Sequence, residues 1–305
     1  MPRQTPPWAI VVAQLPRSDS GEELIVVDTR RMAGNLAARL RPLVWRGGMR
    51  PGYLVIGTKR GGSTSVSEWI AEHPQVAPCR TGKGSHYFDV NHHRGEAWFR
   101  SAFPPPAPPW RITGEGSPYY MFHPLAPQRI AEALPEVKLI AVLRDPVERA
   151  WSHHKYEAAR GKEELSFEDA LDAEPTRLAG ERERMIADPS YDSYEYRYHA
   201  YLARGHYAEQ LAHLGEFFPQ DQILVLKSED LFAHPSEQLA RVWDFLGLDQ
   251  VVLDGLRAHK VGASSSSIPE AVAQRLSDYY APHNDELFRR TGIDFRRPPR
   301  GGDTG

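Results

Sequence analysis

The stretch YLVIGTKRGGSTSVSEWIAEHP, residues 53–74, joins a short apolar strand, a glycine-rich turn and a helix with apolar residues at helical spacing. A helix N-terminus offers unpaired N–H groups and the positive end of a dipole, and glycines let a phosphate approach the backbone closely. Two cations lie in the same turn. The sequence therefore predicts an anion site formed by Lys59, Arg60, Gly61, Gly62, Ser63 and Thr64.

Further strand–helix units follow along the chain. The apolar runs Val137–Leu143 and Gln222–Phe232 predict two more buried strands. The helix after the first run begins at an N-cap, Asp145, and later helices are predicted over 235–246 and 269–290. Alternating strands and helices predict an α/β, P-loop-like fold, in which helices cover both faces of a parallel sheet and ligands bind at the carboxyl ends of the strands.

The motifs fall within one predicted domain, residues 51–295. Residues 1–50 are predicted to form an extension of unknown role, with a strand at Leu24–Val27 and a helix at Met32–Leu43. Residues 296–305 are predicted to be a disordered tail.

Composition excludes several classes of protein. The formal net charge of −3 argues against binding nucleic acid through a global basic field. The one cysteine, Cys79, excludes an internal disulfide and predicts a reducing, cytoplasmic compartment. The apolar run Trp8–Leu15 is too short to span a bilayer and lacks the flanks of an export signal, so we expect no integral membrane segment.

The segment VLRDPVERAWSHH, residues 142–154, supplies a second set of anion-binding groups. Arg144 follows a predicted strand and Ser152 lies two helical turns beyond Asp145, so both can project into one strand-end crevice. Paired guanidinium donors and a hydroxyl suit a terminal phosphate. Arg149 is predicted to form a structural ion pair on the helix, four residues after Asp145.

A P-loop kinase or nucleotide hydrolase is the first alternative, because the loop spacing nearly matches that of nucleotide triphosphatases. However, Ser63 stands where that loop requires lysine, and Arg144 stands where an acidic Mg²⁺ ligand would be useful. The histidine-rich segments 91–94 and 152–156 have no carboxylate or cysteine set to complete a metal site. No metal is therefore predicted.

Together the two anion motifs resemble the nucleotide-binding signatures of sulfotransferases that use 3′-phosphoadenosine 5′-phosphosulfate (PAPS), especially the heparan-sulfate and carbohydrate branch and its bacterial relatives. The resemblance covers most of residues 52–292. Its other landmarks are HYFD at His86–Asp89, GEGSPYY at Gly114–Tyr120, RGHYAEQL at Arg204–Leu211, the strand QILVLKSEDL, and HNDEL at His283–Leu287.

The resemblance implies roles for both motifs. Residues 60–64 would hold the 5′-phosphosulfate, and Arg144 and Ser152 would grip the 3′-phosphate, leaving 3′-phosphoadenosine 5′-phosphate (PAP) as the product. Many family members use a lysine to stabilise the bridging oxygen. This sequence has Arg60 at that position with Lys59 beside it, and either residue could take the role.

The general base departs from the family pattern. Glycan-modifying relatives often carry a catalytic glutamate where this sequence has Gly84, and this departure suggests a nucleotide-binding protein without catalysis as a second alternative. Two candidate bases remain, His86 and Glu115. Glu115 could instead be a charge partner of Lys59 or Arg60. His86 is preferred because an imidazole with pKa near ~6.5 is mostly neutral at pH 7.

The acceptor is predicted to be a hydroxyl or amine of a carbohydrate, a glycolipid or a small metabolite. The overall acidic charge disfavours a heparan-like polymer.

Overall fold

The computed structural model describes residues 48–82, 84–256 and 267–296. Its centre is a sheet whose strands lie in the order β2-β3-β1-β4-β5, and every strand pairing is parallel. The strands are β1 Tyr53–Gly57, β2 Val76–Ala77, β3 Ile112–Gly116, β4 Lys138–Leu143 and β5 Ile223–Lys227.

Helices cover both faces of this sheet, as the sequence predicted. Alternate residues of β1 point to opposite sides, because successive side chains of a strand alternate. Leu54 and Ile56 pack in one buried cluster, and Val55 packs in another with Trp69 and Trp243. The helices are α1 Ser63–Ala71, α2 Glu96–Arg100, α3 Ala126–Ala133, α4 Pro146–Ala158, α5 Phe167–Leu178, α6 Glu181–Ala187, α7 Tyr194–Tyr198, α8 Tyr207–Gly215, α9 Ser228–Ala233, α10 Pro235–Leu246 and α11 Glu270–Thr291.

The predicted fold class is confirmed, with α10 at its predicted bounds and α11 within one residue at each end. The strand predicted over Gln222–Phe232 is too long. β5 ends at Lys227, and the following Ser-Glu-Asp sequence begins α9 because acidic residues suit the first turn of a helix.

Two strands were not predicted from the sequence. β3 contains Thr113, Gly114 and Glu115, so it lacks the apolar run that marks a buried strand. It is buried because its backbone lies against β1: a Cβ on Gly114 would lie 2.3 Å from the carbonyl oxygen of Tyr53. β2 has only two residues, too few to produce a pattern.

The remaining sequence predictions concern Cys79, the two ends of the chain and membrane-spanning segments. Cys79 is half-buried in a loop, 3.0 Å from the hydroxyl of Thr81. The strand and helix predicted within residues 1–50 lie outside the described residues, as does most of the predicted tail. No helix in the described ranges is both long and apolar enough to cross a membrane.

Candidate active site

The loop between β1 and α1 packs closely against the neighbouring strand β4. Gly62 is the N-cap of α1 with φ of 103°, a left-handed conformation that favours glycine. A Cβ on Gly61 would lie 2.5 Å from the carbonyl oxygen of Val142 in β4. The glycines therefore let the loop pack against the neighbouring strand, and Ser63 and Thr64 line the cleft at the start of α1.

Lys59 points inward from this loop. Its Nζ lies 2.6 Å from Oε1 of Glu157 and donates a hydrogen bond to the carbonyl oxygen of Arg197 at 3.2 Å. Burial, together with the charge of Arg204, lowers the pKa of Lys59 to about 7, although Glu157 acts in the opposite direction. Near neutral pH, Lys59 can therefore be either protonated or neutral, and its neighbours decide which form prevails.

Arg60 connects the two predicted anion motifs. Its Nε donates a hydrogen bond to the hydroxyl oxygen of Ser152 at 3.0 Å. Its guanidinium carbon lies 4.8 Å from the centre of the Tyr156 ring, a cation–π arrangement. The glycine-rich loop and the second half of α4 therefore meet in space, across a large separation in sequence.

Arg144 lies at the end of β4, at the mouth of the same cleft. The Tyr207 hydroxyl donates to its carbonyl oxygen at 2.8 Å, which fixes the backbone there. The Arg144 side chain is 32% exposed, and its guanidinium lies 3.4 Å from a carboxylate oxygen of Glu148. This side chain is anchored by its backbone and still accessible to an anion.

The start of α4 confirms one prediction and corrects another. The carboxylate of Asp145 accepts hydrogen bonds from the backbone N–H groups of Val147 and Glu148, so it caps the helix as predicted. The predicted ion pair of Arg149 is wrong. Arg149 lies on the buried face of α4 and donates to the carbonyl oxygen of Tyr201. The carboxylate of Asp145 is used by the cap instead.

These groups share one cleft of about 1080 Å³. It lies at the carboxyl ends of the strands, where ligands bind in open parallel sheets. Basic side chains outnumber acidic ones in its lining, so the cleft suits an anionic ligand even though the chain is acidic overall. The charged lining residues are Lys59, Arg60, Arg144, Lys155, Arg160, Arg197, Arg204, Glu148, Glu157 and Glu229.

His86 lines the same cleft and has a buried partner. Its Nδ1 lies 2.8 Å from Oδ2 of Asp89, whose side chain is fully buried, while the His86 side chain is 33% exposed. Burial would lower the pKa of His86, but the charge and hydrogen bond of Asp89 outweigh it and raise the pKa. Because Asp89 occupies Nδ1, Nε2 is the nitrogen left to accept a proton.

Glu115 does not line the cleft. Its carboxylate accepts hydrogen bonds from the backbone N–H and hydroxyl of Ser85, from the Tyr120 hydroxyl at 2.6 Å and from the Ser117 hydroxyl. Burial raises its pKa, and these hydrogen bonds oppose that shift. The alternative in which Glu115 is a charge partner of Lys59 or Arg60 is wrong, because Lys59 pairs with Glu157 and Arg60 donates to Ser152.

The segment around Gly84 has no room for a side chain. A Cβ at this position would lie 2.1 Å from the carbonyl oxygen of Gly116 and 2.3 Å from the hydroxyl oxygen of Ser117. Contacts this short with backbone require the segment to move. A glutamate therefore cannot replace Gly84 in this arrangement.

The sequence did not predict the side chains that contact His86 and Lys59. Asp89 lies three residues after His86, and that spacing was a usable signal because the two residues form one turn. Glu157 had no such signal, because its contact with Lys59 depends on how α4 packs beside the loop. Two further cleft arginines, Arg197 and Arg204, lie in α7 and the following turn. Arg204 begins the RGHYAEQL landmark, but no role in the cleft was predicted for either arginine.

Comparison with known proteins shows the family of this chain. Residues 50–294 match the family described as "Sulfotransferase domain". The chain is 31% identical to human heparan sulfate glucosamine 3-O-sulfotransferase 6 over 268 residues, which cover 80% of this chain and 73% of the relative. It is 30% identical to the human 3-O-sulfotransferase 3B1, with 80% of this chain and 64% of that relative covered. The chain thus spans a little less than two thirds of the second relative's length.

A solved structure supports the same fold. A sulfotransferase from Alicyclobacillus acidocaldarius is 25% identical to this chain and superimposes with a TM-score of 0.65, covering 82% of this chain and all of that one.

Proposed function

Since this chain belongs to the sulfotransferase family, and is therefore a sulfotransferase, we propose that its sulfuryl donor is PAPS. The observation that carries the proposal is the hydrogen bond between Arg60 and Ser152. It joins the glycine-rich loop, suited to a 5′-phosphosulfate, to the helix suited to a 3′-phosphate. With Arg144 at the adjoining strand end, the cleft offers two anion sites to one nucleotide.

In the proposed complex, the loop of residues 60–64 holds the 5′-phosphosulfate, and Arg144 and Ser152 bind the 3′-phosphate. The acceptor oxygen forms a bond to sulfur as the bond from sulfur to the bridging phosphate oxygen breaks in line, and PAP leaves. Negative charge grows on the departing phosphate. Lys59 and Arg60 lie in the same loop and are the cations proposed to stabilise that charge once their present contacts are exchanged for the donor.

His86 is the proposed general base. Its Nε2 takes the proton of the acceptor hydroxyl during attack, while Asp89 holds Nδ1 and stabilises the imidazolium that forms. Glu115 acts instead on the position of this segment, through its hydrogen bonds to Ser85. The pair of His86 and Asp89 would thus supply a general base although position 84 is glycine.

The proposed acceptor is a carbohydrate hydroxyl. The relatives named above are heparan sulfate glucosamine 3-O-sulfotransferases, and the cleft lining contains Arg197 and Lys155 in addition to the proposed donor-binding cations. These extra cations suit an acceptor that carries negative charge of its own. A glycolipid or a small metabolite with a hydroxyl or amine remains within the proposal. The cytoplasmic location expected from the cysteine content stays a prediction.

The direct test offers the purified chain ³⁵S-labelled PAPS and an extract of the native host's glycans, lipids and small metabolites. Label is expected in one acceptor class, and PAP should accumulate in the same amount. Release of labelled free sulfate alone, with no labelled acceptor, would contradict transfer. Unchanged donor would favour the alternative of a nucleotide-binding protein without catalysis.

Metal dependence separates sulfuryl transfer from the phosphoryl-transfer alternative. Lysine, arginine and a helix N-terminus can neutralise the leaving phosphate, so we expect turnover at the full rate in excess EDTA, measured well below the unfolding temperature. Loss of turnover that Mg²⁺ restores would instead support a kinase or nucleotide hydrolase.

A further inference from the structure

Three possible metal ligands meet outside the cleft, where α8 packs against α11. His206 is the N-cap of α8, Glu209 lies in its first turn, and His283 lies in α11. The Nδ1 atoms of His206 and His283 lie 3.7 Å and 3.6 Å from Oε1 of Glu209. One ligand atom from each residue falls within 4.8 Å of the others, so the three enclose a small space.

The size of that space fits a metal ion. A point equidistant from atoms spaced in this way lies about 2.1–2.4 Å from each, close to the Zn–N and Zn–O distances of about 2.0–2.2 Å. Two imidazoles and one carboxylate are also a ligand set that Zn²⁺ uses, with water in the fourth position. This donor set favours Zn²⁺ over Mg²⁺ or Ca²⁺, which prefer oxygen ligands.

A neighbouring residue supports the ligand role of His206. The hydroxyl of Tyr279 lies 2.8 Å from Nε2 of His206, so Nδ1 is the nitrogen left for a metal. Metal-binding histidines commonly use their second nitrogen in such a hydrogen bond, which fixes the ring.

One movement is required. The rings of His206 and His283 are stacked with centres 3.9 Å apart and planes 8° from parallel, so their lone pairs do not converge on one point. The His283 side chain is 27% exposed. The proposal requires its ring to rotate about the Cβ–Cγ bond until both lone pairs meet at the metal.

We propose that His206, Glu209 and His283 bind one Zn²⁺ ion, with water completing the coordination, as a structural site that joins α8 to α11. The site lies behind the cleft. Arg204, which lines the cleft, is two residues before His206, and the Tyr280 hydroxyl of α11 donates to the carbonyl oxygen of Leu202 at 2.9 Å. A metal at this junction braces the turn that carries Arg204 and takes no part in transfer.

The test uses the full chain after removal of metals by a chelator and dialysis. Titration with ZnCl₂, followed by calorimetry and by competition with a chromophoric chelator, should show one Zn²⁺ per chain and a higher unfolding temperature. Co²⁺ should bind at the same place and give the visible absorption of a four-coordinate ion. His283→Gln and Glu209→Gln should each weaken Zn²⁺ binding by at least about tenfold.

The chain supplies a matched control on the same helix. His213 and Glu216 also lie three residues apart, with Nδ1 and Oε2 separated by 3.2 Å. No second histidine joins this pair in the clusters found among the described residues. His213→Gln should therefore leave Zn²⁺ affinity unchanged. The proposal is overturned if the parent chain binds no Zn²⁺, or if Glu209→Gln, an exposed change that should not disturb folding, binds it as well as the parent.

Discussion

The two walls of the cleft are organised differently. The proposed donor wall consists of Lys59, Arg60, Arg144 and Ser152, whose side chains contact one another or other residues of the cleft lining. The base segment, residues 84–89, is held by groups behind the cleft, because Asp89 is buried and Glu115 does not line it. In the proposed complex, the nucleotide would therefore replace contacts on the donor wall, whereas the base segment is held in place without a ligand.

The largest expected effect tests the base segment. His86→Ala should lower kcat by about 10²–10⁴, the usual contribution of a positioned general base, while the affinity for PAP stays nearly unchanged. Steady-state kinetics with the true acceptor and calorimetry with PAP measure the two quantities.

Two further variants test whether the loss of kcat in His86→Ala is specific to this histidine. Asp89→Asn should lower kcat less than His86→Ala and shift the acid side of the pH profile, because Asp89 acts through His86. His93→Ala, an exposed histidine in the same region, is the control and should behave like the parent. Normal turnover of His86→Ala would exclude it as the base.

The second largest expected loss of kcat is on the donor wall. Lys59→Ala should lower kcat by about 10²–10³, because it removes a cation proposed to stabilise the leaving phosphate. Lys155→Ala provides a matched loss of a lysine from the same cleft, where Nζ lies 4.9 Å from the centre of the Trp151 ring. We expect a much smaller effect from it. Equal losses in the two variants would mean that Lys59 contributes only general positive charge.

The dependence of rate on pH should separate the two walls. The base must be neutral, so kcat/KM rises with pH through the raised pKa of His86, above its usual value of 6.5. Lys59 must be protonated, and kcat/KM falls as the pH rises past its pKa of about 7. The expected profile is a narrow bell near neutral pH. The pH profile of kcat should extend further on the alkaline side, since bound donor favours the charged lysine.

Much of the donor wall could be predicted from the sequence, because its chemistry is local. Glycines, hydroxyls and cations within one strand–helix turn define an anion site wherever that turn lies. Arg144 was predictable for the same reason, since it ends an apolar strand. The contact between Arg60 and Ser152 required only that both strand ends lie at the same edge of a parallel sheet.

The base segment was much less predictable. The sequence offered His86 and Glu115 as alternatives, and only burial distinguishes them, since Glu115 faces Ser85 and Tyr120 behind the cleft. Burial of Glu115 follows from β3, a strand with no apolar pattern of its own. The ion pair between Lys59 and Glu157 could not be predicted either, because it depends on how the helix that carries Glu157 packs beside the loop.

The most direct test of the account compares the binding of PAP and adenosine 5′-phosphate, which differ by the 3′-phosphate. Charge-assisted hydrogen bonds contribute about 1.5–3 kcal/mol each, so PAP should bind the parent chain at least about tenfold more tightly. In Arg144→Ala this preference should largely disappear while the affinity for adenosine 5′-phosphate is retained. Equal binding of the two nucleotides by the parent, or an undiminished preference in Arg144→Ala, would contradict the proposed donor site.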